Sequence, residues 1–449
     1  MTNKYTLLEN AYYGTGIFEN GQGLRQHPRE SIENYIDRKG LAYYLNYTAP
    51  IVNAGVDPIF KNNIKREYKP SPMFEMFLND CDRSKTTYQD FCKSAALHAK
   101  LYGAVFVIVD NSSEHEETKD EALKNRSLPF LKFVTPSQVV DWEMDNYGRL
   151  TMFKYKETFK KGANQEITQT FVWTKDTWEI GEREKKKQGN HNLGRVPVVQ
   201  WYARNTKNTD IKPPSEYLSV AQTNYTLYQL CSWHIQILRD QAFSILTMPD
   251  IGDEDITIGT NNVLTYPTDA THTPNFIAPP AAPATMLTDQ MDRLIKEMYR
   301  MSGLETVMGV RGDYTKTGVA KQWDFEKTNK RLADFSARCE SADKEIIELY
   351  EAWAGETVNY QCEYPRNFKI NDVTESLANA QMALELGFDS EEYKQEVLKK
   401  VLESYLPNIS SEVYDKIVNE VSEHFNDKKE ENIYKDTDVN EDNEDEQNG

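Results

Sequence analysis

The sequence has 449 residues, 39% of them hydrophobic and 11% aromatic, which is enough apolar material for packed cores and excludes a wholly disordered chain. This length exceeds what one simple core accommodates, so we expect two or more lobes. Lysine and arginine number 52 against 71 acidic residues, and the net charge of −19 is the opposite of the basic face with which duplex-binding proteins attract phosphate. Nucleic acid is therefore either no partner of this chain or one that it does not hold tightly.

The cysteines and the apolar runs predict a soluble chain that folds in a reducing place. Five cysteines are present, an odd number with no C-x-x-C pair, so we expect neither a disulfide framework nor a zinc knuckle. The N-terminus has no basic start followed by an apolar stretch, which predicts no signal peptide. The longest apolar run, residues 104–109, is far shorter than the ~20 residues of a membrane helix, so we expect no membrane partner.

The N-terminal quarter combines helices with one buried strand. Residues 29–62 are predicted to be mostly helical, and a second helix is expected over 88–101. The apolar residues of the first segment, separated by charges, are Ile32, Tyr35, Ile36, Leu41 and Leu45. The segment 102–110 is apolar and rich in β-branched residues, which is typical of a strand buried on both faces. Residues 111–127 are charged and polar, so we expect a surface loop there.

Alternating apolar and polar residues predict a series of β-hairpins from 128 to 203. The strand-like segments lie at 131–134, 142–145, 150–155, 168–174, 178–180 and 196–202. Turns are expected at 146–148 and 175–176. Together with the helices before them, these hairpins predict a mixed α/β lobe.

The most informative segment follows two prolines at 213–214. Residues 215–246 contain neither glycine nor proline, and Ser215 is a suitable N-cap, so one helix of about 48 Å is predicted at about 1.5 Å per residue. Apolar residues recur along one stripe of this helix, and others lie off the stripe. A helix that is apolar on more than one side is not stable alone in water. It must be covered either by its own chain or by neighbouring subunits.

A proline-rich excursion separates this helix from two further helices. Residues 247–285 contain six prolines and interrupt the helical pattern. Their short strand-like pieces lie at 256–258 and 262–266. Helix resumes over 286–301, a glycine-rich stretch covers 302–318, and regular apolar spacing predicts a long helix over 319–354.

The C-terminal part is predicted to be helical and then disordered. A strand-like piece at 357–368 precedes three expected helices at 373–386, 390–406 and 410–425. Residues 426–449 carry ten acidic residues against three lysines and almost no apolar residue, so we expect a disordered tail.

No catalytic or metal-binding arrangement is evident. The segment 309–318 has the composition of a phosphate-binding loop but not the order G-x-x-x-x-G-K-[ST], and its Arg-Gly-Asp tripeptide is short enough to arise by chance. The seven histidines form no cluster with carboxylates, and His234 is interpreted as a core or interface residue. Asp110 ends the predicted buried strand and is interpreted as structural. We therefore expect no enzyme activity, no cofactor and no metal.

The order of these elements, together with three short segments, resembles the portal proteins, or head-to-tail connectors, of tailed double-stranded DNA bacteriophages. The segments are YGAVFV at 102–107, PSQVVDW at 136–142 with a turn at Gly148, and GVAKQWDFE at 318–326. The resemblance covers about residues 32–425 and depends more on architecture than on a sharp motif. It implies an α+β multidomain phage portal fold with a mixed α/β wing, long stem helices, a small β-containing clip and a helical crown.

The resemblance assigns one segment of the chain to each part of that fold. The segments are an N-terminal arm at 1–28, the wing at 29–212, the first stem helix at 213–246, the clip at 247–285, the second stem helix at 286–303, a tunnel loop at 304–318, a long wing helix and strand at 319–371, the crown at 372–425 and an acidic disordered tail at 426–449. The tunnel-loop residues expected near DNA are Val307, Met308, Val310, Arg311, Tyr314 and Lys316. The stem residues expected to contact neighbouring subunits are Leu218, Tyr225, Trp233, Ile235 and Leu238.

The function implied by the resemblance is a ring of about twelve subunits at one capsid vertex of the virion, assembled in the host cytoplasm. The ring would be the channel for genome packaging and ejection. The implied partners are other copies of the chain, double-stranded DNA that passes non-specifically through the channel, the large terminase ATPase, head-completion or adaptor proteins, and the major capsid and scaffold proteins. The acidic composition fits this function, because phosphate contacts are the main source of non-specific DNA affinity and a channel must pass DNA without binding it.

Two other functions remain open. Another head-to-tail adaptor or structural ring protein would share the ring but would lack a clip that docks the packaging motor. A metal-dependent nuclease would use scattered acidic residues such as Asp110 and Glu143.

Overall fold

The structure is a computed structural model of the chain. The residues that it describes are 3–111, 121, 127–160, 162, 166–182, 185–205, 211–242, 245–247, 275–277, 281–304, 318–368, 373–385, 390–405, 413, 416–418 and 420. Contacts divide the chain into two units, Met1–Arg366 and Asn367–Gly449. Both α-helices and antiparallel sheets occur, so the fold is mixed, as the sequence predicts.

The N-terminal residues form three short helices that belong to the packed body of the first unit. They are α1 (Lys4–Tyr13), α2 (Ile32–Leu41) and α3 (Thr48–Asn53), with a 3-10 turn at Gly16–Phe18 after α1. The Asn3 side chain accepts a hydrogen bond from the backbone N–H of Tyr5 at the start of α1, and Gly14 ends the helix with a left-handed φ of 69°. The segment predicted as an N-terminal arm therefore packs against the body, because Tyr5, Leu8 and Ala11 are buried.

A three-stranded antiparallel sheet lies at the centre of the first unit. The elements that lead to it are β1 (Lys65–Glu67), α4 (Pro72–Asn79) and α5 (Tyr88–Tyr102). The strands, in the order β3-β2-β9, are β2 (Ala104–Asp110), β3 (Phe130–Val134) and β9 (Val198–Tyr202). Every residue of β2 before Asp110 is buried, which confirms the predicted strand covered on both faces. Between α5 and β2, a side chain at Gly103 would collide with the Pro213 carbonyl, and φ there is 92°.

The predicted hairpins form a five-stranded antiparallel meander. Its strands are β4 (Val139–Met144), β5 (Leu150–Lys160), β6 (Glu166–Thr174), β7 (Thr177–Glu182) and β8 (Lys185–Asn190), which pair in chain order. Phe153, Tyr155 and Trp173 are buried on one face of the meander and pack with Phe106 and Ile108 of β2. The rings of Phe106 and Phe153 are 5.1 Å apart. This apolar layer joins the two sheets into one α/β lobe.

Long helices and a short two-stranded sheet follow the meander. They are α6 (Leu218–Ala242), β10 (Ile245–Thr247), β11 (Asn275–Ile277), α7 (Ala282–Ser302) and α8 (Gly318–Ala354). The prediction of one helix over 215–246 is wrong at its end, because β10 occupies 245–247. The prediction for α8 is confirmed to within one residue, and α7 begins four residues earlier than predicted because Pro283 is tolerated in the first turn of a helix.

A buried carboxylate ties α8 to the rest of the first unit. Asp343 is fully buried, and its oxygens accept hydrogen bonds from the hydroxyls of Tyr88 at 2.7 Å, Tyr360 at 2.7 Å and Tyr364 at 2.8 Å. The guanidinium of Arg66 in β1 completes the set at 3.1 Å. Beyond α8, β12 (Gln361–Glu363) pairs antiparallel with β1. The buried charge is thus paired and hydrogen-bonded, as a stable interior requires.

Among its described residues, the second unit contains two helices, α9 (Val373–Glu385) and α10 (Glu391–Tyr405), which pack on each other. They confirm the helices predicted at 373–386 and 390–406. Several other predicted segments lie wholly or mostly outside the described residues. They are the loop at 111–127, the strand-like pieces at 256–258 and 262–266, the third C-terminal helix at 410–425 and the acidic tail at 426–449.

The state of the cysteines and the character of the helices can be compared with the sequence predictions. All five cysteines are buried and none is in a disulfide. Within the described ranges, no helix combines the length and the apolar character needed to cross a membrane.

Candidate functional site

The helices α6 and α7 form an antiparallel pair that continues into β10 and β11. Cys231 Sγ lies 3.7 Å from Met291 Sδ, and the Thr288 hydroxyl lies 3.2 Å from Nε2 of His234. The register is therefore antiparallel, and a residue three positions later in α6 lies beside a residue three positions earlier in α7. The same register continues past the helix ends, where Ile245 pairs with Ile277. The 25 residues of α6 extend over about 37 Å.

The proximal half of α6, residues 218–232, is buried by the chain itself. Its buried side chains are Val220, Ala221, Asn224, Leu227, Tyr228, Gln229, Cys231 and Ser232. The core residues that surround them come from α1, the turn after it, α3 and the end of α7, and include Tyr5, Leu8, Phe18, Ile51, Val52, Met298 and Tyr299. The sequence left open whether the chain or its neighbours cover this helix. For the proximal half, the chain does.

A single buried asparagine fixes this half of the helix to the segment before α3. Asn224 is fully buried, and its Oδ1 accepts hydrogen bonds from the Tyr44 hydroxyl at 2.9 Å and from the backbone N–H groups of Tyr47 at 3.0 Å and Thr48 at 3.1 Å. Its Nδ2 donates to the Leu45 carbonyl at 2.8 Å. Buried polar groups must be paired, so this side chain specifies how residues 44–48 lie on α6.

Residues 19–31, which we call the strap, cross the proximal half and are attached to it by polar contacts. The hydroxyl of Tyr225 and Nε2 of Gln229 donate to the Gly23 carbonyl at 2.7 and 2.9 Å. The Gln229 Oε1 accepts from the backbone N–H of Arg25 at 3.0 Å. Two backbone groups of the strap are thus paired with α6 side chains. A third, the Leu24 carbonyl, accepts a hydrogen bond from the Tyr35 hydroxyl of α2 at 2.7 Å.

The strap is closed by a buried ion pair. Arg38 of α2 is 1% exposed, and its guanidinium donates to both carboxylate oxygens of Glu30 at 2.7 and 2.8 Å. It also donates to Ser232 Oγ at 2.8 Å and to the Arg25 carbonyl at 2.9 Å. The hydrogen bonds from Arg38 hold the pKa of Glu30 below its ordinary value. Arg38 thereby joins α2, the strap and α6.

In the distal half of α6, residues 233–242, the side chains that the structure describes end at Arg239 and are less covered than those of the proximal half. From Trp233 to Arg239 no side chain is buried, and Leu238 is 42% exposed. Arg239 forms an ion pair with Asp37 of α2. Of the stem residues predicted to contact neighbouring subunits, those on the distal half are Trp233, Ile235 and Leu238. The other two, Leu218 and Tyr225, pack against the chain's own core.

Charged residues assemble where the predicted tunnel loop begins. Glu216, just before α6, accepts from Lys100 Nζ at 2.6 Å and from Arg331 of α8 at 3.1 Å. Arg331 also donates to the Ser302 carbonyl at 2.7 Å, at the end of α7. Gly303 ends α7 with a φ of 74°, and a Cβ there would lie 2.5 Å from the Arg331 guanidinium. This cluster fixes the point from which residues 304–318 depart.

The charges of the cluster stabilise one another. Burial raises the pKa of Glu216, but Lys100 and Arg331 outweigh this effect and leave the pKa below its ordinary value. Lys100 also lies over the Phe335 ring, 4.6 Å from its centroid. The tunnel-loop residues themselves lie outside the described residues, and they are Val307, Met308, Val310, Arg311, Tyr314 and Lys316.

The acidic residues considered for a nuclease do not form a metal centre with others in the part of the chain that the structure describes. There, no group of three or more histidine, cysteine or acidic side chains could hold a metal ion. Asp110 is at the end of β2, where burial raises its pKa to about 6, and it accepts from the backbone N–H of Asn111 at 2.8 Å. Glu143 is exposed on β4. His234 contacts Thr288 across the helix pair, which agrees with a structural histidine.

Sequence reasoning missed Asn224, Arg38 and Glu216. Asn224 and Glu216 have partners more than 100 residues away in the chain, and Arg38 has one of its partners, Ser232, 194 residues away, so spacing carries no signal for these contacts. One signal was available for Asn224, because it stands between Ala221 and Tyr228 on the apolar stripe of α6. A polar residue on such a stripe indicates a buried, fully paired group.

No protein family and no curated protein matches the sequence. A solved structure titled as the neck of an empty GTA particle, computed with C6 symmetry, aligns with a TM-score of 0.44 at 10% identity over 78% of this chain and 89% of that one. The neck of the native GTA particle, computed with C12 symmetry, gives 0.45 at 10% identity over the same shares of 78% and 89%. The virion of the native gene transfer agent particle gives 0.45 at 10% identity over 89% of this chain and 93% of that one.

These likenesses are too weak to carry an inference about function. The case for a function therefore depends on the residues and contacts of this chain.

Proposed function

We propose that the chain is a ring-forming structural subunit of the portal type, whose assembled channel passes double-stranded DNA into and out of a virus head. The observation that carries this proposal is the division of α6. Its proximal half is buried by the chain's own core, whereas its distal half presents Trp233, Ile235 and Leu238 without any side chain being fully covered. An apolar surface on a fixed helix needs a partner, and a head-to-tail contact between identical copies closes into a ring when the rotation permits.

The distal end of the helix pair supports the portal type of ring over other rings. The strands β10 and β11 pair immediately beyond α6 and α7, so the chain leaves and re-enters the pair at adjacent points. The segment between them is the clip of the proposed ring. In the proposed function, this clip docks the large terminase ATPase during packaging.

The remaining partners follow from the same proposal. Double-stranded DNA would pass non-specifically through the channel, and head-completion or adaptor proteins would bind after packaging. The major capsid and scaffold proteins would surround the ring at one vertex of the virion, which is assembled in the host cytoplasm. The net charge of −19 supports a DNA-passing role without tight binding, because few favourable phosphate contacts are expected. The proposed role requires no catalytic residue in this chain.

Imaging of the purified protein tests the proposal. Negative-stain micrographs are expected to show closed rings with a central hole, with about twelve subunits. A population of single compact particles at all concentrations would contradict the proposal.

A deletion separates the portal type from another head-to-tail adaptor. Removing residues 250–282 is expected to leave rings intact and to abolish terminase binding in a pull-down. Terminase binding that is unchanged by the deletion, whether it is present or absent in both chains, would favour the adaptor.

A further inference from the structure

The helix α2 exposes apolar side chains and buries a charged one, which is the reverse of the usual arrangement for a helix on the surface of a single chain. Its one buried side chain is Arg38, at 1% exposure, whereas Ile32 is 69% exposed and Ile36 is 62% exposed. The two isoleucines are four residues apart and so lie on the same face. The contacts of Arg38 with Glu30 and Ser232 fix which face points outward. The outward face is therefore preformed and apolar.

Gly40 continues this outward face by one more turn. It lies inside α2 without a positive φ, where glycine is less favourable than alanine. A Cβ built at Gly40 would have no atom within 4 Å, so no described contact of the chain requires glycine there. A glycine that a single chain does not need is explained where another backbone approaches closely. We call Ile32, Ile36 and Gly40 the α2 stripe.

A complementary surface exists on α7. Its exposed side chains include Met286, which is 72% exposed, and two cations, Arg293 and Lys296, which follow exposed Asp289 and Asp292. Beside the α2 stripe stands exposed Glu33. Neither Glu33 nor the two cations forms an ion pair with a described residue. One surface is thus apolar with an acidic side chain that has no described ion-pair partner, and the other presents Met286 and two basic side chains that have no described ion-pair partner.

The two surfaces are attached to different faces of α6. Contacts with α7 come from Cys231 and His234, whereas contacts with α2 come from Ser232 and Arg239. At 100° per residue these two pairs point in different directions around the helix. The α2 stripe of one copy can therefore meet the α7 face of another without either surface being hidden within its own chain.

We propose that the α2 stripe packs against the outward face of α7 on a second copy of this chain. Glu33 then faces Arg293 and Lys296 of the second copy, and Gly40 allows the two helices to approach closely. The contact is head-to-tail, since pairing α2 with itself would bring two Glu33 side chains together. This inference rests on the proposed ring, because a head-to-tail contact repeats from copy to copy.

The first test compares assembly of three chains by mass photometry over a range of concentrations. The double variant Ile32→Asp, Ile36→Asp is expected to raise the concentration at half-assembly by at least about tenfold, since charge replaces apolar contact. The matched control is Tyr147→Asp, because Tyr147 is 78% exposed at the turn between β4 and β5. The control is expected to assemble like the unmodified chain.

The second test uses a variant that cannot be explained by misfolding. Gly40→Ala is expected to raise the melting temperature of the dissociated chain by about 2 °C, because alanine favours the helix. The same variant is expected to raise the concentration at half-assembly several-fold, because the added methyl group separates the helices. Better stability with unchanged assembly would contradict close approach at Gly40.

The third test identifies the α7 face. Glu33→Lys alone, or Arg293→Glu with Lys296→Glu, is expected to weaken assembly, and all three together are expected to restore it within about threefold. Failure of the combination to restore assembly would overturn the assignment of α7.

The outcomes separate this inference from the proposed function. If the unmodified chain stays monomeric at every concentration, the ring itself is contradicted, and this contact with it. If the unmodified chain assembles and the double α2 variant assembles equally well, the inference fails and the ring stands. Equal loss of assembly in the Tyr147→Asp control would also overturn the inference, because the effect would not be specific to the stripe.

Discussion

The two halves of α6 have similar apolar composition but different surroundings. In the proximal half, Leu227 and Tyr228 are each 1% exposed and lie under α1 and the strap. In the distal half, Leu238 is 42% exposed, and the next residue, Arg239, forms an ion pair with Asp37 of α2. The apolar side chains of α6 are thus buried within the chain in the proximal half and partly exposed in the distal half. In the proposed ring, the distal half is the part of α6 that neighbouring copies cover.

The N-terminal residues decide which part of α6 is covered within the chain. The strap and α1 cover only the proximal half, and their attachment depends on Asn224, Gln229 and the buried pair of Arg38 with Glu30. Polar contacts of this kind specify one arrangement, because each unpaired group would cost free energy in the interior. The end of the covered region is therefore fixed near Ser232.

The largest effect is expected from Asn224→Ala. The change leaves the buried backbone N–H and the hydroxyl of Thr48 without their acceptor, and unpaired buried groups cost roughly 1–3 kcal/mol each. We expect the free energy of unfolding to fall by about 3–5 kcal/mol in urea titrations followed by circular dichroism. Exposed Asn34 is the control, and Asn34→Ala should change stability by less than about 0.5 kcal/mol. A loss below about 1 kcal/mol for Asn224→Ala would show that this residue does not fix the proximal half.

The next effect compares one leucine from each half. Leu227→Ala removes a fully buried side chain and should destabilise the dissociated chain by about 3 kcal/mol. Leu238→Ala removes a half-exposed one and should cost less than about 1 kcal/mol in the same urea titration. Equal losses would mean that the two halves are equally covered within one chain, which would break the comparison.

The smallest effect concerns the closure of the strap and depends on pH. The pKa of Glu30 is lowered by Arg38, so the pair's contribution to stability is complete above the ordinary value of 4.5 and is lost as the pH falls through the lowered value. Glu30→Gln should therefore reduce the free energy of unfolding by about 2 kcal/mol at pH 7, where it leaves buried Arg38 without its counter-charge. Melting temperatures of both chains should converge as the pH falls below 4.5 and through the lowered pKa of Glu30. A constant difference in melting temperature across this range would show that the ion pair of Arg38 with Glu30 does not hold the strap in place.

Much of the fold could be predicted because its signals are local. The apolar run of β2, the hairpins and the regular spacing of α8 each depend on residues near one another in sequence. The end of α6 was missed because residues 243–246 continue an apolar pattern that suits either a helix or a strand, and pairing with β11 decides for β10. The strand β8 was missed because its sequence, KKKQGN, has no apolar alternation, and pairing with β7 forms it.

The candidate site could be predicted only in part, because its burial is decided by distant residues. The sequence showed that α6 needs covering, but it gave no indication that residues 4–24 supply the cover for one half. The isoleucines of α2 were expected to form part of an apolar pattern, and nothing nearby indicates that Arg38 takes the inward position. That inversion depends on Glu30, Arg25 and Ser232, which meet Arg38 only in the folded chain.

Chemical labelling of the distal half tests the central claim most directly. All five native cysteines are buried, so a Leu238→Cys variant presents a selective target for a maleimide. We expect labelling in the assembled protein to be at least about tenfold slower than in the dissociated chain, because neighbouring copies cover the distal half. Equally fast labelling in both states would contradict the claim that this half of α6 is buried by other copies of the chain.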